Sequence, residues 1–343
     1  MYNYIKSSYD LIKWYLKTSK LRIREKKNLT KTLIISELNT SLASVKANII
    51  YAKCLEYYGY NVLVIFKHRQ FLYEQYYKCV GFNKFIYLQT NETFEKRKIV
   101  DFIIKKSTDS GNFLKLKLYE INIGKWLASR IVRELKVGEF NLENFDKEKL
   151  NSYILESVNA IFTIKSILKT HTNCSILFNE RGYSPSGEVF EYCLDKEINT
   201  IQWFGSPLDK HHSFKRYTKK NKMYHPLSLS KYSFEYLLNH KKAIFFEKQI
   251  LKHLRLQYKE KKWFNRQNLE KNKKIYSKKE IIEKLKLNPQ KKIGVIFSHI
   301  MYDATFFYGD SIFRNYKLWL SETLKYAKEN HNVNWILKIH PAN

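Results

Sequence analysis

At 343 residues the chain is longer than one hydrophobic core usually serves, so two domains are expected. An apolar share of 44% with 16% aromatic residues excludes a disordered chain. Only 10 glycines and 5 prolines exclude collagen-like and loop-dominated architectures.

Lysine and arginine exceed aspartate and glutamate by 62 − 32 = +30. A field of that sign attracts nucleic acid, anionic lipid or acidic glycan. The chain is also saturated with Lys, Asn, Ile and Tyr, the signature of compositional drift in an AT-rich genome, and no specific nucleic-acid partner is expected. Cys54, Cys79, Cys174 and Cys193 lie far apart without metal-ligand spacing and read as free thiols of a reducing compartment. No apolar run approaches the ~20 residues of a membrane helix, and the N-terminus has no signal-peptide pattern. The chain is therefore expected in the cytoplasm, at most peripheral on the inner face of the plasma membrane, with no metal and no resident cofactor.

In chain order, residues 1–30 place Tyr4, Ile5, Ile12, Tyr15 and Leu16 among Lys6, Lys13, Lys17 and Lys20. That spacing predicts a basic amphipathic helix, which either lies on an anionic membrane or packs against the first domain; its periodicity favours packing. Residues 31–240 read as that first domain, of α/β type. Short apolar runs at 32–38, 61–66 and 85–88 predict strands, separated by helices that end near Tyr57 and Val80. Units of that length imply parallel strands with right-handed crossovers. Helices are predicted at about 94–107, 121–136 and 147–170, strands at 175–179 and 200–203, and a helix at 187–196 between those two. Residues 241–286 are helical, lysine-rich and connector-like. Strand, helix and strand at 292–297, 313–330 and 335–339 begin a second domain, 287–343. One such unit cannot cover a parallel sheet on both faces, so this domain is expected to be incomplete.

Three segments could carry chemistry, each at the carboxyl end of a predicted strand, where open α/β sheets bind ligands. The first, 38–44, contains Asn39 and Ser41 before a helix N-terminus whose free amides favour anions; ordinary capping explains the same residues. It has no glycine, so neither a dinucleotide fingerprint nor a P-loop is present. The second, 178–206, follows a strand with Asn179, Glu180, Arg181 and Tyr183, and Gly182, Pro185 and Gly187 then turn into a helix. Arg181 suits bidentate recognition of phosphate or carboxylate, and Glu180 or Glu188 suits a general base. A salt-bridged loop is the plainer reading. The third joins 297–313, with Asp303, to 335–343, where Lys338 and His340 at a strand end could hold a phosphate and Pro341 fixes the turn.

A second α/β domain with "KIHP" after its second strand resembles the GT-B glycosyltransferases of bacterial capsule and surface-polysaccharide synthesis. The stretches "NERGYSPSGEVFEYCL", "INTIQWFGS", "MYDATFFYGDSIF" and "WILKIHPAN" are similar to recurring patterns of that family. The resemblance implies two Rossmann-like domains, the second truncated here, and transfer of a sugar from a nucleotide-activated donor to a polysaccharide or lipid-linked acceptor. It assigns Lys338 and His340 to the donor phosphate, Asp303 to the catalytic cleft, and Asn179, Arg181 and Tyr183 to the acceptor side; the strand-end reading adds Glu180 as the catalytic base and Asn39 and Ser41 to the acceptor cleft. A later Ser/Thr segment and Glu helix of such enzymes have no counterpart before Asn343. No Asp-x-Asp stands at a strand end, which agrees with a metal-independent reaction. The alternative from another class is a non-catalytic basic protein binding acidic glycan, lipid-linked precursor or nucleic acid.

Overall fold

The computed structural model describes residues 2–22, 31–39, 41–205, 211–259, 276–309 and 311–340. Its centre is a six-stranded sheet in the order β3-β2-β1-β4-β5-β6. The strands are β1 (Lys31–Glu37), β2 (Tyr60–Phe66), β3 (Phe85–Tyr87), β4 (Cys174–Phe178), β5 (Asn199–Gly205) and β6 (His212–Tyr217). The first five run parallel, and β6 pairs antiparallel with β5. The chain is thus an α/β protein with a mostly parallel sheet, compatible with a Rossmann-like arrangement. The edge strand β6 was not anticipated, because only Tyr217 in it is buried and its apolar signal is correspondingly thin.

Alternate residues of each central strand face opposite cores. Leu33, Ile35, Val62, Val64 and Phe66 meet Val45 and Ile49 of helix α2 (Leu42–Tyr57) and Tyr76 and Tyr77 of α3 (Phe71–Lys78). Ile34, Leu63, Ile65, Ile176 and Phe178 meet the other layer. That layer comprises α4 (Phe94–Lys106), α5 (Ser110–Leu114), α6 (Ile123–Leu135), α7 (Lys147–Thr170) and α8 (Ser186–Asp195). Burial on both faces is why these strands read as unbroken apolar runs. Gly59 closes the tight α2–β2 turn at φ +88°, a left-handed conformation that glycine adopts without steric cost.

The N-terminal helix α1 (Tyr2–Thr18) packs on the α2–α3 side. Asp10 accepts from Lys46 Nζ and the Tyr76 hydroxyl, both at 2.5 Å, and Trp14 Nε1 donates to the Tyr76 carbonyl at 3.3 Å. These bonds hold Asp10 below the ordinary carboxylate pKa, with the Lys46 hydrogen bond the largest cause.

Beyond β6 come α9 (Lys231–Asn239), α10 (Ala243–Lys259) and α11 (Lys278–Leu285). The helical run therefore begins before residue 241. A separate two-stranded parallel sheet follows, β7 (Lys292–Phe297) with β8 (Val333–Lys338), joined by α12 (Tyr316–Glu329). Its faces stay partly open, and Phe297 is 70% exposed. The loop leaving β7 nevertheless reaches back to the first sheet. Phe307 enters the core with 2% exposure, packed on Trp126, Tyr183 and Tyr308.

Candidate functional site

β1 connects to its neighbour β2, while β4 lies on the other side of β1, so the chain reverses direction across the sheet between β1 and β4. Loops leaving adjacent strands in opposite directions open a crevice at their carboxyl ends. A cavity of about 580 Å³ occupies that position. Asn39 and Ser41 line it from the β1 loop, Asn179, Glu180 and Tyr183 from the β4 loop, and Arg133 from α6. Five of the nine sequence-predicted site residues thus share one cavity.

Several of these side chains are committed to building the crevice. Ser41 caps α2, its hydroxyl accepting from the Ser44 amide at 3.4 Å. The Asn39 amide donates to the Tyr183 carbonyl at 2.9 Å, and Ser44 Oγ donates to Asn179 Oδ1 at 2.7 Å. The two asparagines therefore tie the diverging loops together. Capping, the plainer reading of Ser41, holds geometrically.

Glu180 and Glu134 are the two carboxylates that line the cavity, and Glu180 is the one at the end of β4. Its Oε1 accepts from the amides of Arg181 (2.8 Å) and Gly182 (3.0 Å), while Oε2 lies 3.9 Å from Arg133 Nη1. Its side chain retains 30% exposure. Burial pushes the Glu180 carboxyl above its ordinary value, the two amides and Arg133 oppose that, and Asp303 adds a smaller upward push. The Arg133 guanidinium also stacks over the Tyr183 ring at 4.1 Å. On the same wall Arg130 bridges Glu134 (2.8 Å) and Glu156 (2.6 Å), and Glu156 also pairs with Lys67 at 2.6 Å. Although burial pushes the Glu134 carboxyl up, hydrogen bonds from Tyr153 and Arg130 bring it below the ordinary range. The wall is rich in charge of both signs and nearly balanced, which suits a polyhydroxylated neutral ligand better than a free anion.

Asp303 stands on the far side of Tyr183. Tyr183 donates its hydroxyl to Asp303 Oδ1 at 2.5 Å, and burial with this bond raises the phenol's pKa. Asp303 belongs to a second cavity of about 390 Å³ with His225, His299, Thr305, Tyr308 and Arg314. The Tyr183–Asp303 bond thus forms a partition between two cavities.

The remaining candidates are elsewhere. Arg181 is fully buried and lines neither cavity: Nε donates to Gln202 Oε1 (3.0 Å), Nη2 to the Tyr224 carbonyl (3.1 Å), and the guanidinium packs against Phe190 and Tyr217. Arg181 is thus enclosed rather than open to either cavity: Nε and Nη2 are spent on neutral partners inside the protein, while the buried Nη1 has no hydrogen-bond partner among the described residues. Glu188, weighed as a base, is equally buried and accepts from Ser157 Oγ at 2.7 Å; burial pushes it up to about 7. Gly182 and Gly187 serve packing more than turning. A β-carbon at Gly182 would lie 2.0 Å from the Phe307 ring, and one at Gly187 2.5 Å from Trp126. Lys338 and His340 end β8, where the Lys338 carbonyl accepts from the Ser298 amide (3.0 Å) and the His340 amide donates to Ser298 Oγ (2.8 Å). Neither lines the two cavities, and Pro341 lies outside the described residues.

Arg130, Arg133 and Lys67 were not anticipated. Lys67 directly follows β2, so the strand-end rule that found Asn39 and Asn179 would have reached it. The arginines sit on a helix far away in sequence, and only the Arg130–Glu134 spacing hinted at an ordered polar face. Among the described residues no group of three or more His, Cys, Asp or Glu side chains could hold a metal ion, and no helix is long and apolar enough to cross a membrane. No protein-family model matches the chain, and no curated protein or solved structure is significantly similar to it.

Proposed function

We propose that the chain is a glycosyltransferase of the two-domain GT-B class, moving a sugar from a nucleotide-activated donor onto a bacterial capsular or lipopolysaccharide-type polysaccharide. The observation that carries this reading is Glu180, a half-buried carboxylate with a raised pKa at the strand-crossover cavity. Polar side chains and one aromatic ring around that cavity are what an acceptor saccharide needs.

In this reading the acceptor hydroxyl lies against Glu180 Oε2. Its oxygen bonds to the donor's anomeric carbon, the bond from that carbon to the phosphate oxygen breaks, and the hydroxyl proton passes to Glu180. The electron pair leaves with the nucleotide. A carboxylate raised by burial is the stronger base for that proton. Arg133 balances the charge at Glu180 and, stacked on Tyr183, holds the cavity wall. Asp303 acts through the Tyr183 hydroxyl as a positioning residue. Residues 287–343 are read as belonging to the donor domain, with Lys338 and His340 assigned to the departing phosphate. The reaction belongs on the cytoplasmic side, with a polysaccharide or lipid-linked acceptor.

The test is a thermal-shift titration with CMP, CDP, UDP and GDP. One nucleotide is expected to stabilise the chain, and His340→Ala to remove that shift. Glu180→Gln is expected to keep the shift while lowering donor turnover, read as nucleotide released, by about 10²-fold or more. A folded chain that responds to none of the four would turn the assignment to the non-catalytic binding protein for acidic glycan, lipid-linked precursor or nucleic acid.

A further inference from the structure

We propose that the hairpin of α9 and α10 is a docking element for an anionic lipid bilayer. This inference is independent of the transferase reading. An amphipathic helix of a globular protein normally buries its apolar stripe. These two helices do not. No residue of α9 is buried, and Tyr232 (78%), Ile244 (69%), Leu238 (60%), Ile250 (59%) and Leu254 (52%) are exposed. The hairpin is held closed by its own rings, with His240 between Tyr236 (5.6 Å) and Phe246 (5.7 Å). Large apolar side chains left exposed on a pair of helices mark an interaction site.

Charge selects the occupant. Residues 231–256 carry six Lys or Arg against two Glu, a net of 6 − 2 = +4. On α10, Lys248, Lys252 and Arg255 recur at four- and three-residue spacing, one helical side, while Ile250 and Leu254 share another. Aliphatic and aromatic side chains flanked by long basic stems are the composition that settles into a headgroup region, the stems reaching outward to lipid phosphates. A second copy of the hairpin would bring +4 against +4, and nucleic acid would leave the aliphatic side chains in water. The N-terminal helix is the contrasting case. It is also basic and amphipathic and leaves Ile12 and Leu16 exposed, yet Leu11 and Trp14 are spent on the protein's own core.

The test is co-sedimentation of the whole chain with phosphatidylcholine vesicles, with and without phosphatidylglycerol, at about 0.1 M salt, where screening extends about 10 Å. Binding is expected only to the anionic vesicles. Ile250→Asp with Leu254→Asp, and separately Lys248→Glu with Lys252→Glu, are each expected to reduce it roughly tenfold or more. All four side chains are exposed, so the unfolding temperature should not move. Unchanged binding in both variants overturns the proposal. So does binding that is lost only in Ile12→Asp with Leu16→Asp, which would place the contact on α1. A chain that ignores vesicles but forms a dimer dispersed by Ile250→Asp with Leu254→Asp would make the hairpin an interface between copies.

Discussion

The two sheets of this molecule, one mostly and one wholly parallel, contain nearly interchangeable strands. "NVLVIF" of β2 and "KIGVIF" of β7 have the same length and the same apolar character. Val64 and Phe66 are wholly buried, whereas Val295 and Phe297 are 44% and 70% exposed. What differs is the cover. The first sheet has helices on both faces and the second has one joining helix. Strand formation is thus written locally, but the stability and shape of the crevice at a strand end depend on the layers behind it. At β1 and β4 those layers hold Glu180, Arg133 and Tyr183 in one cavity wall. At β8, Lys338 and His340 end a strand whose surroundings leave Ile339 60% exposed.

The sharpest way to break this comparison is to remove Phe307, the large side chain of the β7 loop that, among the described residues, is buried in the first core. Phe307→Ala is expected to lower stability by about 3–5 kcal/mol, the range for a buried aromatic, as measured by urea unfolding. It should also open the partition, because the Phe307 ring stands against Tyr183 at 5.3 Å. A loss below about 1 kcal/mol would mean that the β7 loop does not depend on the first sheet.

A somewhat smaller effect tests how dry the first core is. Glu188 has an ordinary pKa of 4.5 and is pushed up to about 7 by burial. Between those values the unfolded chain has released a proton that the folded chain keeps, so stability falls as pH rises through that window. Above it, about 3 kcal/mol is missing relative to acid conditions. Glu188→Gln is expected to flatten this slope and to be more stable than the parent at pH 8, with no difference near pH 4. Denaturant titrations at the two pH values measure it, and an unchanged slope would show that water reaches Glu188.

The smallest effect is expected where the second unit meets the first through solvent. Lys317 of α12 donates to Glu139 at 2.8 Å with its side chain 66% exposed. The bond holds Glu139 below the ordinary carboxylate range. Lys317→Ala should change stability by about 0.5 kcal/mol, vanishing at high salt. The contrast with Phe307→Ala sets the weight of polar rim against apolar plug in joining the two units.

Much of the frame was legible because its signals are local. Apolar runs bounded by turns located seven of the eight described strands, and residues 39–41 were readable as caps of the next helix, of which the structure uses Ser41. The missed strand, β6, alternates exposed and half-buried residues at a sheet edge, so its period competes with ordinary surface composition. At the site, Asn39, Ser41, Asn179, Glu180 and Tyr183 were found by one rule, the position after a parallel strand. Arg181 obeys the same rule and fails it: one residue past Glu180, its side chain points into the core, where Phe190 and Tyr217 receive it. Arg133 obeys no such rule, since its place at the cavity comes from the packing of α6.

The amino-acid sequence by itself determined the α/β class, the order of most strands and helices, the positive charge and the loops where polar residues gather. These follow from periodicity, capping and composition, which act over a few neighbouring residues. Only the tertiary structure decided that two asparagines are spent tying the loops, that Arg181 is enclosed, that Tyr183 and Asp303 divide two cavities, and that α9 and α10 keep their apolar sides in the open. Those outcomes depend on which surfaces meet in space, the asparagine ties and the Tyr183–Asp303 bond across more than a hundred residues of chain, and burial of that kind has no local signature.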